Sequence, residues 1–525
     1  MTMFLYALIL LAIIFVASFA SKWRVPLVVI SLFAGMLFGT GALGLVPFDD
    51  PSAAQKIADY ALVFVLFIGG FVTRQDRLQK VFAPAMILAT AGVIMTAAIT
   101  IFLLPVVFGF FHIEIRMSQA ILIGCIVAST DAAAVFSILR TRSLDPKLSA
   151  LVEIESATND PMAIILTTVA VQIAVAQAIT STGMGMGIPI ERPFSVVLTL
   201  VWQTVGGVGF GLLIGAVAVF LSKFVANLDK GYFYIYIISI VMLSYGVADL
   251  AKASGILSAF FAGFVLGNSK KVPYKSTSAT LLDALSTMGN VVIFVVLGLL
   301  VSPQGFVRVY KEGILLFLIL TFVARPAVIA ACMYFFKYSV KDKVFVAWSG
   351  LRGAVPMVLA TYPAAAEISE GVSAGLDNDR YILNTIFFAV LLSMVIQGST
   401  ITKLADMFKL ATRARFRPRQ VMELVSLHNS GMELVEIDVD DDVYSGEALV
   451  SSFRLPRGTT ITMVNRGDKI KAPTGQTLIR AGDILYVLVK TEERDNAMEE
   501  ILRHFRSNTK TVPIVTDYEE VDKRR

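Results

Sequence analysis

The sequence predicts an all-α polytopic membrane protein that carries a small cytoplasmic α/β domain at its C-terminal end. Three observations support this fold class. Of the 525 residues, 56% are hydrophobic and only 16% are charged, which is too apolar for an ordinary water-soluble protein. Thirteen apolar runs are long enough to cross about 30 Å of hydrocarbon. After about residue 408 the composition becomes that of a soluble protein.

The thirteen predicted transmembrane helices fill residues 1–408. They lie near 3–20, 25–47, 57–73, 84–110, 117–139, 147–179, 195–221, 232–250, 254–268, 283–302, 313–336, 343–365 and 381–404. The first run has the length of a signal peptide, but no basic residue precedes its apolar part, so we interpret it as a span. Spans one to six and eight to thirteen predict two inverted repeats.

Basic residues are concentrated in alternate loops. With the N-terminus outside, the inner loops contain clusters such as Arg140, Arg142 and Lys147, whereas the outer loops contain fewer basic residues and several acids. The positive-inside rule therefore predicts an external N-terminus and a cytoplasmic C-terminus.

A polar segment interrupts the sixth predicted span. Asp160 lies in it, where burying a carboxylate costs at least about 2.5 to 3.5 kcal/mol, so such residues normally mark ion or proton pathways. Pro161 lacks an N–H and leaves the carbonyl of Ala157 free, about one turn from Asp160. Spacing of three and four residues adds neighbouring polar side chains on one helix face, namely Glu155, Ser156 and Asn159. These groups predict a site for a small cation.

Two further spans contain interruptions. In span five, Asp131 follows Thr130 inside the apolar run, and its alternative role is a purely structural bond to a neighbouring helix. In span twelve, Pro356 frees the carbonyl of Arg352. Matched discontinuous helices in two repeats are typical of the midplane site of a transporter, so we expect helices five and twelve to be broken. The break in span twelve contains Gly350, Arg352, Gly353 and Pro356.

Span eleven contains Arg325 near its middle. An unpaired guanidinium there would be costly, so it requires a carboxylate partner, for which we choose Glu155 over Glu153. The alternative is that the arginine snorkels to the membrane boundary.

These motifs resemble those of the cation:proton antiporters of the NhaP branch, which are related more distantly to eukaryotic sodium/proton exchangers. The segment Ser129–Phe136 is most similar to the CvrA-type potassium/proton subgroup, and the resemblance covers residues 1 to 410. The residues on which the resemblance rests are Thr130-Asp131, Glu155-Ser156, Asn159-Asp160-Pro161, Arg325 and Gly350-Leu351-Arg352-Gly353.

The resemblance implies a core domain that moves against a dimerisation domain in a homodimer of the plasma (inner) membrane. It implies that Asp160 binds the cation and the proton, and that Glu155 pairs with Arg325. It also implies that the ion's surroundings include Asp131, Ser156 and the Thr130 carbonyl. In that family, an Asn-Asp pair such as Asn159-Asp160 accompanies electroneutral one-for-one exchange.

One position departs from the family pattern. Many relatives have an acidic residue before Gly69-Gly70 in span three, whereas this chain has Ile68. One negative ligand fewer favours a larger, more weakly hydrated cation, which indicates potassium over sodium unless the size of the cavity decides otherwise. Asp249 and Asn290 are either polar interhelix contacts or residues without a transport role.

The chain after span thirteen predicts a linker and a soluble module. Residues 409–419 form a basic linker, and residues 420–492 contain predicted strands at Met432–Val439, Thr459–Val464 and Ile484–Val489 with a short helix at Gly446–Phe453. The module resembles the C-terminal lobe of the RCK/TrkA regulators of potassium transport. That resemblance implies a dimeric ligand-sensing domain, and a nucleotide, such as a cyclic dinucleotide, is the expected ligand. Residues 493–525 predict a helix and a polar tail.

The sequence therefore predicts a potassium-preferring cation:proton antiporter that needs no cofactor. The alternatives are a sodium/proton antiporter, a cation channel gated by the C-terminal module, and an ion-coupled carrier of an organic anion. No enzyme signature is present, because the histidines are scattered and both cysteines lie in apolar runs.

Overall fold

A computed structural model of the chain describes most of its residues. These are 27–73, 75–131, 143–144, 146–181, 193–225, 228, 230–269, 271–370, 380–412, 421–423, 432–439, 448–453, 455–456, 458–466, 469–480, 482–490 and 493–507. The predicted first span and most of the basic linker lie outside them. The chain divides into two compact units, Met1–Ala411 and Thr412–Arg525.

The first unit is helical. Its first half contains α1 (Leu27–Phe38), α2 (Pro51–Val72), α3 (Gln75–Ile87), α4 (Val93–Phe110), α5 (Met117–Ile126), α6 (Pro146–Ser181), α7 (Pro193–Val225), α8 (Lys230–Leu250) and α9 (Gly255–Asn268). Its second half contains α10 (Lys275–Leu300), α11 (Pro303–Arg308), α12 (Tyr310–Leu318), α13 (Arg325–Cys332), α14 (Val340–Trp348), α15 (Ala354–Leu359), α16 (Tyr362–Glu370), α17 (Tyr381–Leu392) and α18 (Gly398–Met407). Two-residue strands also occur, β1 (Ser143–Leu144) and β2 (Ala411–Thr412).

The helices have the lengths of membrane spans. Within the described residues, eight helices are long and apolar enough to cross a membrane. Shorter apolar helices lie at 29–38, 117–126, 255–268 and 354–368. The protein is therefore a helical polytopic membrane protein, while the total of thirteen spans and the inverted repeat stay predictions.

Glycines bring several helices into backbone contact. A Cβ atom on Gly70 of α2 would lie 2.0 Å from the carbonyl oxygen of Phe260 in α9, and one on Gly263 of α9 would lie 2.2 Å from that of Phe67 in α2. Because real side-chain atoms never approach backbone so closely, only glycine fits at both positions. Helices α2 and α9 thus form a tightly packed pair.

Three wide π turns join helices that the sequence predicts as continuous spans. They are Leu88–Gly92 between α3 and α4, Ile319–Ala324 between α12 and α13, and Ser393–Gln397 between α17 and α18. The second turn precedes Pro326, whose ring would clash with the carbonyl of Phe322 in a regular helix. The wider turn accommodates this proline without ending the span.

Two spans are broken at the positions that the sequence singles out. Helix α5 ends at Ile126, and a turn and an irregular segment follow up to Asp131. Helix α14 ends at Trp348, and α15 begins at Ala354 after another short non-helical segment. The interruption of span twelve lies directly before Pro356, which is in the first turn of α15, where an N–H has no intrahelical acceptor. Pro356 therefore helps to start a helix and does not interrupt one.

The second unit contains a five-stranded antiparallel sheet in the order β3-β4-β9-β6-β7 and a two-stranded pair, β5-β8. Alternate residues of β9, Leu485, Val487 and Val489, are buried against α19 residues such as Ile501 and Phe505. The elements are β3 (Val421–Glu423), β4 (Met432–Asp438), β5 (Ala448–Leu449), β6 (Thr460–Arg466), β7 (Lys469–Lys471), β8 (Leu478–Ile479), β9 (Ile484–Lys490) and α19 (Arg494–Ser507).

One predicted element of this unit is wrong. The segment 446–453 was expected to contain a short helix, but its described part forms strand β5 and a single 3-10 turn, Val450–Ser452. Ala448 is buried and pairs with Ile479 of β8. A buried strand pairing outweighs the weak helix preference of so short a segment.

Candidate ion-binding site at two broken helices

The two interrupted spans meet at their non-helical segments. The backbone N–H of Asp131 donates to the carbonyl oxygen of Leu351 at 2.7 Å. The buried guanidinium of Arg352 donates to the carbonyl oxygen of Ala128 at 3.0 Å and also to that of Ser129. A positive side chain thus satisfies free carbonyls at the C-terminal end of α5, where the helix dipole is negative.

Glycine permits this close crossing. A Cβ atom on Gly353 would lie 1.7 Å from the Oδ2 atom of Asp131. Any larger residue at position 353 would displace the Asp131 carboxylate. The glycine is therefore required by the position of the aspartate, and the backbone break brings the two together.

Helix α6 contacts the crossing through two polar side chains. The hydroxyl of Ser156 donates to the carbonyl oxygen of Thr130 at 2.8 Å, and the amide of Asn159 donates to the hydroxyl of Thr130 at 2.7 Å. Both bonds are buried, and they fix the non-helical segment of span five against α6. The Thr130 carbonyl keeps one lone pair for a further donor or cation.

Three buried oxygen atoms beside this contact have no hydrogen-bond partner among the described residues. They are Asp160 Oδ1, Asn159 Oδ1 and Ser129 Oγ. The Ser129 hydroxyl is close enough to the Asp160 carboxylate to interact with it, but the two do not form a hydrogen bond of ordinary geometry. The fields of Asp131, Glu155 and Arg352 also reach that carboxylate. Because buried polar atoms are normally satisfied, three unsatisfied oxygens in one place indicate a site for a proton or a small cation.

Glu155 and Arg325 form a bidentate ion pair. The guanidinium nitrogens donate to the two carboxylate oxygens at 2.7 and 2.8 Å, and the side chains are 1% and 5% exposed. Glycine again makes room, because a Cβ atom on Gly350 would lie 2.6 Å from the Nε atom of Arg325. The pair joins α6 to α13 next to the break in span twelve.

The sequence interpretation missed the part of span thirteen that supports the break. The backbone N–H of Arg352 donates to the hydroxyl of Ser393 at 3.2 Å, and Ser393 donates to Gln397. The Gln397 amide then donates to the carbonyl of Trp348 at 3.2 Å. Ser393 and Gln397 bound the third π turn, and their spacing of four residues in an apolar run was the available signal.

Other singled-out residues lie apart from these contacts. Ile68 is buried in α2. Asp249 is exposed near the end of α8, and Asn290 is half-buried in α10. A second carboxylate that the sequence interpretation overlooked, Asp59, is bonded to Tyr362.

The sequence was compared with models of protein families. Residues 7–406 match the family described as sodium/hydrogen exchanger, transmembrane. The chain belongs to this family. The match includes both broken helices and all of the intramembrane site, which agrees with the resemblance drawn from the motifs.

Relatives within the sodium/hydrogen exchanger family include proteins named as antiporters for two cations. The K(+)/H(+) antiporter NhaP2 of Shewanella sp. (strain ANA-3) is 31% identical over 490 residues, covering 92% of this chain and 80% of the relative. The K(+)/H(+) antiporter NhaP of Alkalimonas amylolytica is 29% identical over 495 residues, covering 93% of this chain and 81% of the relative. The Na(+)/H(+) antiporter 1 of Methanocaldococcus jannaschii is 25% identical over 432 residues, covering 77% of this chain and 94% of the relative.

A solved structure shares the fold. The sodium proton antiporter MjNhaP1 from Methanocaldococcus jannaschii at pH 8 superposes with a TM-score of 0.65 at 22% identity, covering 77% of this chain and 97% of that one. The helical architecture of the family is therefore present in this chain.

Proposed function

We propose that this protein exchanges potassium for protons across the plasma membrane and that Asp160 is its exchange site. The observation that carries the proposal is the group of unsatisfied oxygens, Asp160 Oδ1, Asn159 Oδ1 and Ser129 Oγ, at the crossing of two broken helices. Oxygen atoms are the ligands that replace the hydration shell of alkali cations. Relatives whose names state potassium/proton antiport match over most of the chain.

One carboxylate is sufficient for exchange by competition. Asp160 holds either a proton or a cation, so loading one on one side of the membrane displaces the other. Asn159 and the hydroxyl of Thr130 orient the oxygens around it, and Ser156 fixes the Thr130 carbonyl. Asp131 adds a negative field, and Arg352 limits the total charge. One proton for one monovalent cation makes the exchange electroneutral.

The buried position of Arg352 argues against a carrier of organic anions. Its guanidinium is occupied by the carbonyls of Ala128 and Ser129, and that of Arg325 by Glu155. Neither is presented to a substrate. Potassium is favoured over sodium because Ile68 supplies no additional charge.

The test uses a pH-sensitive dye in proteoliposomes challenged in turn with potassium, sodium and lithium. We expect Asp160→Asn to abolish cation-dependent proton movement, because an amide cannot exchange a proton for a cation. Asp249→Asn, which removes an exposed carboxylate from α8, is the matched control and keeps the wild-type rate. Exchange near the wild-type rate in correctly inserted Asp160→Asn protein would overturn the proposal. Flux that follows an imposed membrane potential would instead identify a channel.

We further propose that the second unit regulates transport. The intramembrane ionisable groups of the site all precede residue 360, whereas the second unit has the sheet and buried core of a soluble domain. We expect it to bind a nucleotide on the cytoplasmic side of a homodimer whose N-terminus is outside. Such a ligand must prefer one state of the transporter in order to regulate it.

Truncation after Thr412 tests this division of labour. We expect the truncated protein to insert and to exchange cations for protons, with a changed pH dependence or a lost response to nucleotide. The full-length protein reconstituted in parallel is the control. A stable, dimeric truncated protein that is inactive at every pH would show that the second unit belongs to the transport machinery.

A further inference from the structure

Asp59 is a second carboxylate inside the membrane-spanning unit, and the exchange at Asp160 does not use it. It is the ninth residue of the 22-residue helix α2, which is long and apolar enough to cross a membrane. About 12 Å of helix therefore separates it from the beginning of α2. Carboxylates at such depth are costly in hydrocarbon, and they usually mark an ion or proton pathway.

Neutral groups surround the Asp59 carboxylate. The hydroxyl of Tyr362 donates to its Oδ1 atom at 2.8 Å, and the Gln55 side chain, one turn earlier on α2, is also within hydrogen-bonding reach. Tyr245 of α8 lies near Asp59 and Tyr362. Among the described residues, Asp59 has no basic group within ion-pair distance, and Lys56 on the same helix is exposed. The carboxylate is thus neutralised only by a proton or by a mobile cation.

The charged and titratable groups around this cluster add no positive charge. Besides Asp59 itself, the groups whose fields reach Tyr245 are Asp249 and Tyr60, which are acidic or neutral. Apart from burial, the groups that influence Tyr362 among the described residues are Asp59, Tyr245 and Gln55. The surroundings of Asp59 therefore attract a cation.

The position of Tyr362 relates this cluster to Asp160. Tyr362 begins α16, about two turns after the break in span twelve and on the side of the break away from α14. Both α15 and α16 contact α2 and also α6, the helix of Asp160. The short helices after the break thus pack against the helices of both carboxylates.

A large cavity lies at the end of the unit where α2 begins. It has a volume of about 630 Å³ and is lined by Asp49, Glu114, Glu312 and Arg380, among others. Asp49 directly precedes Asp50, whose side chain caps the N-terminus of α2. Below, this end of the unit is called the Asp49 end. Asp59 lies about two turns further along α2 from it.

Asp59 does not take the place of the acidic residue that many relatives have where this chain has Ile68. The two residues are nine positions apart on α2, which turns their side chains to opposite faces of the helix. Asp59 is therefore a different site from the one that relatives have before Gly69-Gly70.

We propose that Asp59 is a second ion-binding residue, which takes up the transported cation or a proton between the Asp49 end and Asp160, and that Tyr362 positions its carboxylate. The inference rests on the proposed antiport function. It adds a site on one side of Asp160 only, so its removal has a sided effect. The exchange at Asp160 itself remains.

The test measures exchange in uniformly oriented proteoliposomes, with potassium supplied to one face at a time. We expect Asp59→Asn, which keeps the size and the acceptor for Tyr362 but not the charge, to raise the apparent KM at the face of the Asp49 end by about tenfold, or about 1.4 kcal/mol. The KM at the other face stays at the wild-type value. Tyr362→Phe should produce a smaller change of the same sign, and Asp59→Glu should restore a KM near the wild-type value.

Two controls separate the possible outcomes. Asp283→Asn removes an exposed carboxylate from α10, which has no part in the Asp59 cluster, and leaves the KM at both faces unchanged. Unchanged KM values and an unchanged pH profile of exchange in Asp59→Asn would show that Tyr362 and Asp59 form only a structural hydrogen bond, which would overturn the inference. Equal changes of the KM at both faces would also overturn it. If Asp59→Asn does not fold, an unchanged KM in Tyr362→Phe has the same meaning. Activity of Asp160→Asn, by contrast, contradicts the proposed function alone.

Discussion

Among the residues that the structure describes, two bidentate pairs of arginine and carboxylate occur, one in each unit, in different surroundings. In the membrane unit, the Glu155 and Arg325 side chains are 1% and 5% exposed. In the C-terminal unit, Asp483 is fully buried whereas Arg466 is 44% exposed, with bonds of 2.6 and 2.7 Å. Both pairs have similar geometry, but only Arg466 keeps contact with water.

The different exposure of the two arginines indicates a different role for each pair. Two ions that are both removed from water depend mainly on each other, so neither tolerates loss of its partner. Arg325 has one further, long bond, to the carbonyl oxygen of Val346 at 3.4 Å. Asp483 has an additional donor, because the backbone N–H of Arg480 bonds its Oδ2 atom at 2.8 Å. Arg466 also donates to the carbonyl of Leu478 at 2.7 Å. The C-terminal pair is therefore one part of a polar network that fixes the turn before β9.

The largest effect is expected for the membrane pair. Glu155→Ala leaves the Arg325 guanidinium buried and unpaired, which should cost about 3 to 5 kcal/mol. The double variant Glu155→Ala with Arg325→Ala removes both charges and should recover part of this loss. Thermal stability and folded yield of the four proteins in detergent measure the coupling. Simple additivity of the two single changes would contradict a direct interaction.

An asymmetry is expected for the C-terminal pair. Arg466→Ala leaves a fully buried carboxylate with the Arg480 N–H, and should cost about 2 to 3 kcal/mol. Asp483→Asn leaves an arginine that reaches water, and should cost only about 1 kcal/mol. Hydrogen exchange of β6 and β9 in the full-length protein reports both losses. Equal effects of the two substitutions would show that the exposure of Arg466 to water makes no difference to stability. The contrast with the buried membrane pair would then not hold.

The smallest effect concerns pH in the C-terminal unit. Packing against Phe453, with ring centroids 4.3 Å apart, partly buries His504 and lowers its pKa below the ordinary 6.5. The unfolded state then binds more protons than the folded state as pH falls through 6.5, so stability decreases in that direction. The protection of α19 amides from hydrogen exchange, taken relative to the intrinsic exchange rate at each pH, should be weaker at pH 5.5 than at pH 7.5 and nearly independent of pH in His504→Gln. Stronger protection at low pH would contradict the sign.

The intramembrane residues were predictable because hydrocarbon makes polar groups expensive. Asp131, Asp160 and Arg325 each interrupt an apolar run, so each one required an explanation from the sequence alone. The sequence required a carboxylate partner for Arg325, and the choice of Glu155 over Glu153 matches the contact in the structure. Asp59 produced the same signal and was overlooked because it lies near the beginning of its run.

Elements whose stability depends on distant partners were not predictable. The helix expected within 446–453 is replaced by a strand because Ala448 pairs with Ile479, more than thirty residues away. Pro356 has the same chemistry at the start of a helix as within one, and only the observed end of α14 at Trp348 decides between these roles. The π turn with Ser393 and Gln397 is likewise fixed by the broken helix against which it packs.

Local sequence patterns predicted which unit lies in the membrane and which in water. They also predicted which spans contain charge and to which family the protein belongs. These follow from the free energy of placing each residue type in hydrocarbon, which is a local property of the chain. The oxygens that remain unsatisfied beside Asp160 and the close approach of Gly353 to Asp131 are visible only in the folded protein. The same is true of the contact between Tyr362 and Asp59. Those contacts join segments far apart in the chain, so they depend on how the helices pack, which no local pattern specifies.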